Sequence, residues 1–106
     1  MGIAFMQPAS AAQTDLYWWG THAAVDNNPG NGAPGWVWVY GTTHDETNGG
    51  AIVYQLFDGK TYELDAWGGQ TASAYTSTPV KGFKACYSDF ASGAWTNHCG
   101  AWHWFG

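Results

Sequence analysis

Fifteen glycines are spread along this chain of 106 residues, so that few windows of about eleven residues lack one. A glycine in a helix interior costs about 1 kcal/mol relative to alanine, which makes a helix hard to place anywhere. Aromatic, β-branched and threonine residues dominate between the glycines, and strands favour these residue types. The sequence therefore predicts an all-β chain.

The clearest predicted element is a hairpin over residues 51–65, with a turn signal at Asp58-Gly59. A two-residue turn would mix polar and apolar side chains on both faces of the hairpin. A three-residue loop, with its glycine in the left-handed conformation, pairs Tyr54 with Tyr62 instead. We predict this second register, because it gives one apolar and one polar face, as in a sheet wetted on one side.

The segment Trp-Val-Trp-Val-Tyr, which begins at Trp36, is apolar at every position and predicts a strand. The strand is either central and covered on both faces, or it carries a ligand platform made of Trp36, Trp38 and Tyr40. Continuous apolar strands are usually interior, so the first interpretation is favoured. Residues 26–35 and 41–50 are predicted loops that place amide and acidic groups around the strand.

Further strands are predicted at residues 17–19, 71–76, 80–87 and 99–105, which brings the total to about six or seven. Short strands at this spacing are typical of a compact antiparallel β-sandwich or small barrel. No change of composition, repeat or low-complexity run divides the chain. We therefore expect residues 12–106 to form a single domain.

Cys86 and Cys99 are the two cysteines of the chain. One disulfide is the simplest interpretation, and closing a loop of this length is worth about 3 kcal/mol in the chain-entropy model. Two free thiols or a two-cysteine metal site are the alternatives, and neither suits an exported protein. A disulfide would join the two predicted strands that contain these cysteines.

Residues 1–11 form a short apolar segment that ends in Ala9-Ser10-Ala11, the small-residue pattern found before signal-peptide cleavage sites. The segment has no basic start, which such peptides normally possess. We interpret it as the remnant of a secretory signal peptide and expect a secreted, extracellular protein. An ordinary tail of small residues is the alternative.

The charge balance limits the partners that the chain can have. Its net charge is −5, and its only cationic side chains apart from histidine are three lysines. No face can carry the cationic groups that nucleic acid or anionic membrane requires. No apolar run approaches the ~20 residues that span a bilayer as a helix. We therefore expect neither nucleic acid binding nor membrane insertion, and the sequence leaves the oligomeric state open.

Eight tryptophans would crowd the core of a domain this small, because each ring offers roughly 150–250 Å² of surface. Part of this aromatic surface is expected to remain exposed and to bind a ligand, with rings for stacking and amide or carboxylate groups for hydrogen bonds. The candidate binding residues are Trp18, Trp19, Trp36, Trp38, Tyr40, Asn28, Asn31, Asp45 and Asn48.

A protein partner is the first expectation for this surface, because tryptophan and tyrosine are frequent hot spots at the centre of interfaces. A carbohydrate is the alternative, since sugar rings stack their C–H faces on indole while nearby polar side chains bond the hydroxyl groups. Whether the rings are exposed helps to distinguish a protein partner from a carbohydrate. Full burial of Trp36 and Trp38 would eliminate a platform on that strand.

No nucleophile signature surrounds the serines, and we predict no catalytic residues. A carboxylate pair for glycoside cleavage can be drawn from Glu46, Glu63 and the aspartates, so a small extracellular hydrolase is the lesser alternative. The cluster His44-Asp45-Glu46 lies in a predicted loop and is interpreted as a solvated turn. We predict neither a metal nor a cofactor.

Four motifs occur in order along residues 17–106, and they are Val25-Asp-Asn, Trp36-Val-Trp-Val, Val80-Lys-Gly-Phe-Lys-Ala-Cys and His98-Cys-Gly-Ala-Trp. Their order resembles that of small secreted actinobacterial proteins. It implies a single-disulfide β-sandwich, similar to the small adaptor subunits of secreted umbrella toxin particles. It further implies a non-enzymatic role in binding a partner within an exported complex, and it assigns no particular residue to an interface.

Overall fold

The computed structural model describes residues 13–43, 48–91 and 93–106, apart from the side chain of Ala91. Nine strands and no helix occur in these residues. In chain order the strands are β1 (Gln13–Trp18), β2 (Thr21–Asp26), β3 (Gly35–Tyr40), β4 (Gly49–Leu56), β5 (Thr61–Trp67), β6 (Thr71–Thr76), β7 (Val80–Ala91), β8 (Ala94–Cys99) and β9 (His103–Trp104).

The strands form two antiparallel sheets packed against each other, which confirms the predicted β-sandwich. One sheet has the strand order β1-β2-β3-β6, and the other has the order β9-β7-β4-β5. Strand β8 pairs with the later part of β7, while β9 pairs with its earlier part. The strands outnumber the predicted total of about six or seven. Two strands were not predicted from the sequence: β2, whose central alanines are weak strand formers, and β8, which lies mostly between the strands predicted at residues 80–87 and 99–105.

The hairpin of β4 and β5 has the predicted register. Tyr54 pairs with Tyr62, and the Leu56 N–H donates to the Lys60 carbonyl oxygen at 3.1 Å. Gly59 has a φ of 84°, the left-handed conformation that the three-residue loop requires. The apolar face of this hairpin packs into the core.

The core between the sheets consists mainly of small and β-branched side chains. Phe83 on β7 is the largest fully buried side chain, and none of the eight tryptophans, all of which are described, is buried. The two sheets of a sandwich pack about 10 Å apart, a gap that facing layers of indole rings would overfill. The buried residues of this core are Ala23, Val25, Val37, Val39, Ile52, Tyr54, Leu56, Ala66, Val80, Phe83 and Ala85.

Strand β3 is covered on one face only, so the favoured interpretation, coverage on both faces, was wrong. Val37 and Val39 are fully buried and face the other sheet, as one alternating face of the strand should. Trp36, Trp38 and Tyr40 occupy the opposite face and are half-buried. Coverage on both faces was therefore the wrong expectation, and these rings lie on the outside of the sandwich.

The predicted disulfide between Cys86 and Cys99 is present. The two residues lie directly opposite each other on β7 and β8, with a Cα–Cα distance of 4.0 Å. The bond therefore joins neighbouring strands of one sheet rather than the two sheets. It fits an extracellular protein, because disulfides persist in oxidising environments.

Two further expectations concern targeting and membranes. The interpreted signal-peptide remnant, residues 1–11, lies outside the described residues. Within the described part of the chain, no helix has the length and apolar character needed to cross a membrane.

Candidate ligand-binding faces

All eight tryptophans lie at the surface of the sandwich, more than the sequence led us to expect. Trp18, Trp19, Trp67 and Trp104 are exposed. The other four rings are half-buried, and they are Trp36, Trp38, Trp95 and Trp102. The tryptophan excess therefore belongs to the outer faces and edges, where rings can meet a ligand.

The outer side of the four-stranded sheet, which we call the aromatic face, carries rings between polar groups. Strand pairing places Trp36 between Asp26 on β2 and Tyr75 on β6. Two residues further along β3, strand pairing places Trp38 between Ala24 on β2 and Ser73 on β6. No lysine belongs to this face, whose residues are Gln13, Asp15, Tyr17, His22, Ala24, Asp26, Trp36, Trp38, Tyr40, Thr71, Ser73 and Tyr75.

A shallow groove of about 300 Å³ lies at one end of the aromatic face, lined by Gln13, Asp26, Pro29, Trp36 and Tyr75. Tyr75 is 60% exposed, whereas Asp26 is only 4% exposed and lies at the base of the groove. One oxygen of the Asp26 carboxylate accepts the backbone N–H of the second residue after it, which fixes the carboxylate. The groove combines two aromatic rings with a held carboxylate and an amide, a composition typical of small-ligand sites.

The other end of the aromatic face is tied together by a ring and ion-pair network. The His22 ring stacks on Tyr17 at 4.3 Å and meets Trp38 edge-on at 4.8 Å. Its Nε2 atom lies 2.8 Å from Asp15 Oδ1. Burial raises the pKa of Asp15, but hydrogen bonds from His22 and Gln13 outweigh it and hold that pKa below its ordinary value. These contacts orient the rings before any ligand arrives.

The candidate asparagines beside the aromatic strand mainly serve their own loops. Asn28 and Asn31 lie in the loop after β2, close in sequence to Pro29 of the groove. The backbone N–H of Asn28 donates to Asp26 at 2.7 Å, and Asn31 Oδ1 accepts the backbone N–H of Ala33 at 3.2 Å. Asn28 therefore orders the groove through its backbone.

The remaining candidate residues lie elsewhere. Asn48 lies immediately before β4 of the other sheet, where its Oδ1 accepts the Phe90 N–H at 2.9 Å. Trp18 and Trp19 lie at the turn between β1 and β2. Asp45 is outside the described residues. The predicted set thus divides among several places, and only Trp36, Trp38 and Tyr40 share one face.

A second aromatic site, which we call the indole corner, occurs on the outer side of the five-stranded sheet. Trp67 on β5 and Trp95 on β8 meet at nearly a right angle, with ring centroids 4.9 Å apart and an interplanar angle of 76°. A cavity of about 170 Å³ lies against them, lined also by Asp65 and Ala66. Gly49 on β4 pairs with Ser88 on β7, and both strands lie between β5 and β8. Because these two residues are small, the surface is depressed at this point.

Two carboxyl groups adjoin the indole corner. Glu63 and Asp65 alternate with inward residues along β5, so both point outward together with Trp67. Burial, a hydrogen bond with Glu63 and repulsion from its charge raise the pKa of Asp65 to about 7. The pair is therefore an electrostatically unfavourable arrangement that a cationic or hydrogen-bonding ligand would relieve.

Four residues of these sites were not predicted from the sequence: Trp67, Trp95, Tyr75 and the groove carboxylate, Asp26. One signal was available, because the predicted register of the β4–β5 hairpin already places Glu63 and Asp65 on its wetted face. Continuing that alternation by two residues brings Trp67 to the same face. The other members come together only through strand pairings that are distant in sequence.

Trp102 and Trp104 form a third aromatic surface. Their rings stack at 4.7 Å, and the Lys84 amine lies 4.9 Å from the Trp102 ring. Trp104 lies directly over Gly82, where any β-carbon would meet the indole. This stack covers the backbone of β7 and so has a structural role.

The described residues contain no group of three or more histidine, cysteine, aspartate or glutamate side chains placed to hold a metal. His44 and Glu46 lie outside them. Comparison of the chain with protein families, with curated proteins and with solved structures finds no match.

Proposed function

We propose that this protein is a non-catalytic binding protein whose ligand is a glycan, held on the aromatic face of the four-stranded sheet. The observation that carries the proposal is the groove, in which Trp36 lies between the buried Asp26 carboxylate and the Tyr75 ring. Rings can take up the apolar C–H faces of a sugar, while Asp26 and Gln13 bond its hydroxyl groups. The groove is open and shallow, which suits an extended saccharide chain.

The polar groups within the face favour a glycan over a protein partner. The fully buried centre of a protein interface is depleted of charged residues, which lie at its rim. Here a carboxylate lies directly beside the Trp36 ring, and further acidic and amide groups occupy the same face. A sugar offers a hydroxyl group for each of these positions, whereas an apolar protein surface would leave them unpaired.

Replacing Trp36 by alanine tests the proposal. We expect affinity for an oligosaccharide that binds the groove to fall about tenfold or more, because the variant removes a stacking surface. The affinity is followed by NMR titration of the backbone signals of Gln13 and Tyr75. Trp104→Ala is the matched control, since it removes an indole from the other sheet and should leave this affinity unchanged. Equal affinity of Trp36→Ala and the unmodified protein would refute the groove as the site.

A protein partner remains a second candidate because of the conformation of Trp19. Trp19 and Gly20 form the two-residue turn between β1 and β2, with φ values of 51° and 82°. The left-handed conformation costs a bulky residue about 1–2 kcal/mol, so asparagine or glycine would suit this turn better. The ring is 51% exposed and touches Tyr87 at a centroid distance of 5.0 Å. A strained, exposed indole is the kind of residue that partner binding retains.

Trp19→Asn is expected to change the free energy of unfolding by no more than about 1 kcal/mol, because the relief of backbone strain offsets the loss of the ring contact with Tyr87. Trp18→Ala is the contrasting variant. The Trp18 ring packs closely on Gly100, so its removal should destabilise the protein. Urea unfolding measures both. A loss of stability in Trp19→Asn as large as that in Trp18→Ala would show that Trp19 serves the fold rather than a partner.

A further inference from the structure

The indole corner offers three kinds of contact to one ligand. The Trp67 ring is 61% exposed and provides an apolar surface. The Trp95 Nε1 atom is buried and has no hydrogen-bond acceptor among the described residues. A buried donor without an acceptor is unfavourable, and a ligand oxygen would satisfy it.

The carboxyl groups beside this corner have no cationic partner of their own. In the described residues, neither Glu63 nor Asp65 takes part in an ion pair. The nearest lysine across the sheet is Lys84, which is separated from Glu63 by Val53 and lies over the Trp102 ring. The outer side of β5 therefore holds uncompensated negative charge next to an exposed indole.

We infer that the indole corner binds a sugar ring that carries a protonated amine, so that the preferred glycans of this protein are amino sugars with free amines. The sugar's C–H face lies on Trp67, its ammonium group bonds the Glu63 and Asp65 carboxyl groups, and one of its oxygens accepts the Trp95 indole N–H. The cavity of about 170 Å³ holds one such ring. This inference rests on the proposed glycan binding and names its chemical class.

A neutral sugar would leave the carboxyl pair without a counter-charge. A simple organic cation would satisfy the carboxyl groups and the rings, as in aromatic cages, but it brings no acceptor for the Trp95 N–H. An amino sugar supplies both groups on a scaffold with an apolar face. The net charge of −5 further favours a cationic glycan over an acidic one.

The test compares three oligosaccharides of equal length on the full chain: one of glucosamine, one of N-acetylglucosamine and one of glucose. Calorimetry is carried out at neutral pH, where Asp65, with its pKa of about 7, is still partly ionised and sugar amines are still partly protonated. We expect the glucosamine oligomer to bind at least about tenfold more tightly than the other two, because it adds charge-assisted hydrogen bonds.

Glu63→Gln should remove this preference while leaving the fold intact, since the side chain is exposed and the amide keeps its shape. Asp58→Asn is the matched control, because it changes the net charge equally at the turn of the hairpin, at the opposite end of β5 from Trp67. A preference that persists in Glu63→Gln would overturn the site. Equal binding of all three oligosaccharides would overturn the amine requirement and leave the proposed function standing. Binding of none would overturn both.

Discussion

Phe83→Ala is expected to lower the free energy of unfolding by about 3–5 kcal/mol, the range for removing a phenyl ring from a core. Phe83 is fully buried on β7 and is the largest such side chain. Its ring stacks on Phe105 at 5.9 Å and meets His103 edge-on at the same distance. The variant would leave a cavity that strands on both sides cannot close. Small domains have a total stability of about 5–15 kcal/mol, so this loss is a large part of it.

Phe90→Ala is the control for this prediction, because Phe90 lies on the same strand but is 50% exposed. Surface substitutions usually change stability by no more than about 0.5 kcal/mol. Urea unfolding, followed by tryptophan fluorescence, measures both variants. Comparable losses in the two would mean that the core does not lie where the structure places it.

Loss of the disulfide is the second large effect that we expect. The double variant Cys86→Ala, Cys99→Ala should lower the free energy of unfolding by about 2–5 kcal/mol, because the unfolded chain regains the freedom of the closed loop. Within the native state, β8 should loosen first. It is an edge strand that is held to β7 by backbone hydrogen bonds, the disulfide and a Ser88–Asn97 side-chain hydrogen bond of 2.6 Å.

Reducing the disulfide in the unmodified protein distinguishes the effect of losing the bond from the effect of the cavity that the smaller alanine side chain leaves. The reduced protein and the double variant should melt at similar temperatures, both below the oxidised protein. Faster amide hydrogen exchange in β8 should accompany the loss. A melting temperature that does not change under reductant would contradict this account of the bond.

The features that sequence predicted correctly depend on local chemistry. The Asp58-Gly59 turn, together with the alternation on each side of it, defines one register that separates polar from apolar side chains. The spacing of the cysteines likewise suits one disulfide. Strand β2 was missed because its alanines give little strand signal, although pairing on both sides with β1 and β3 makes it central.

The covered face of β3 could not be read from sequence, because both of its faces are apolar. Period-two alternation shows that Trp36 and Trp38 share a face, but not whether the other sheet covers it. The width of the gap between the sheets determines which face of β3 is covered, since the gap accommodates Val37 and Val39 but not two layers of indole rings. The groove was hidden for a related reason, because Trp36 meets Tyr75 only through the pairing of β3 with β6.

The most direct test of glycan binding is an NMR titration that follows the indole N–H signals of all eight tryptophans. We predict that a glucosamine oligomer shifts the signals of Trp36, Trp67 and Trp95, and leaves that of Trp104 in place. An N-acetylglucosamine or glucose oligomer should shift mainly the signal of Trp36. The absence of any shift with all three oligosaccharides at millimolar concentration would contradict the proposal that these outer faces bind glycans.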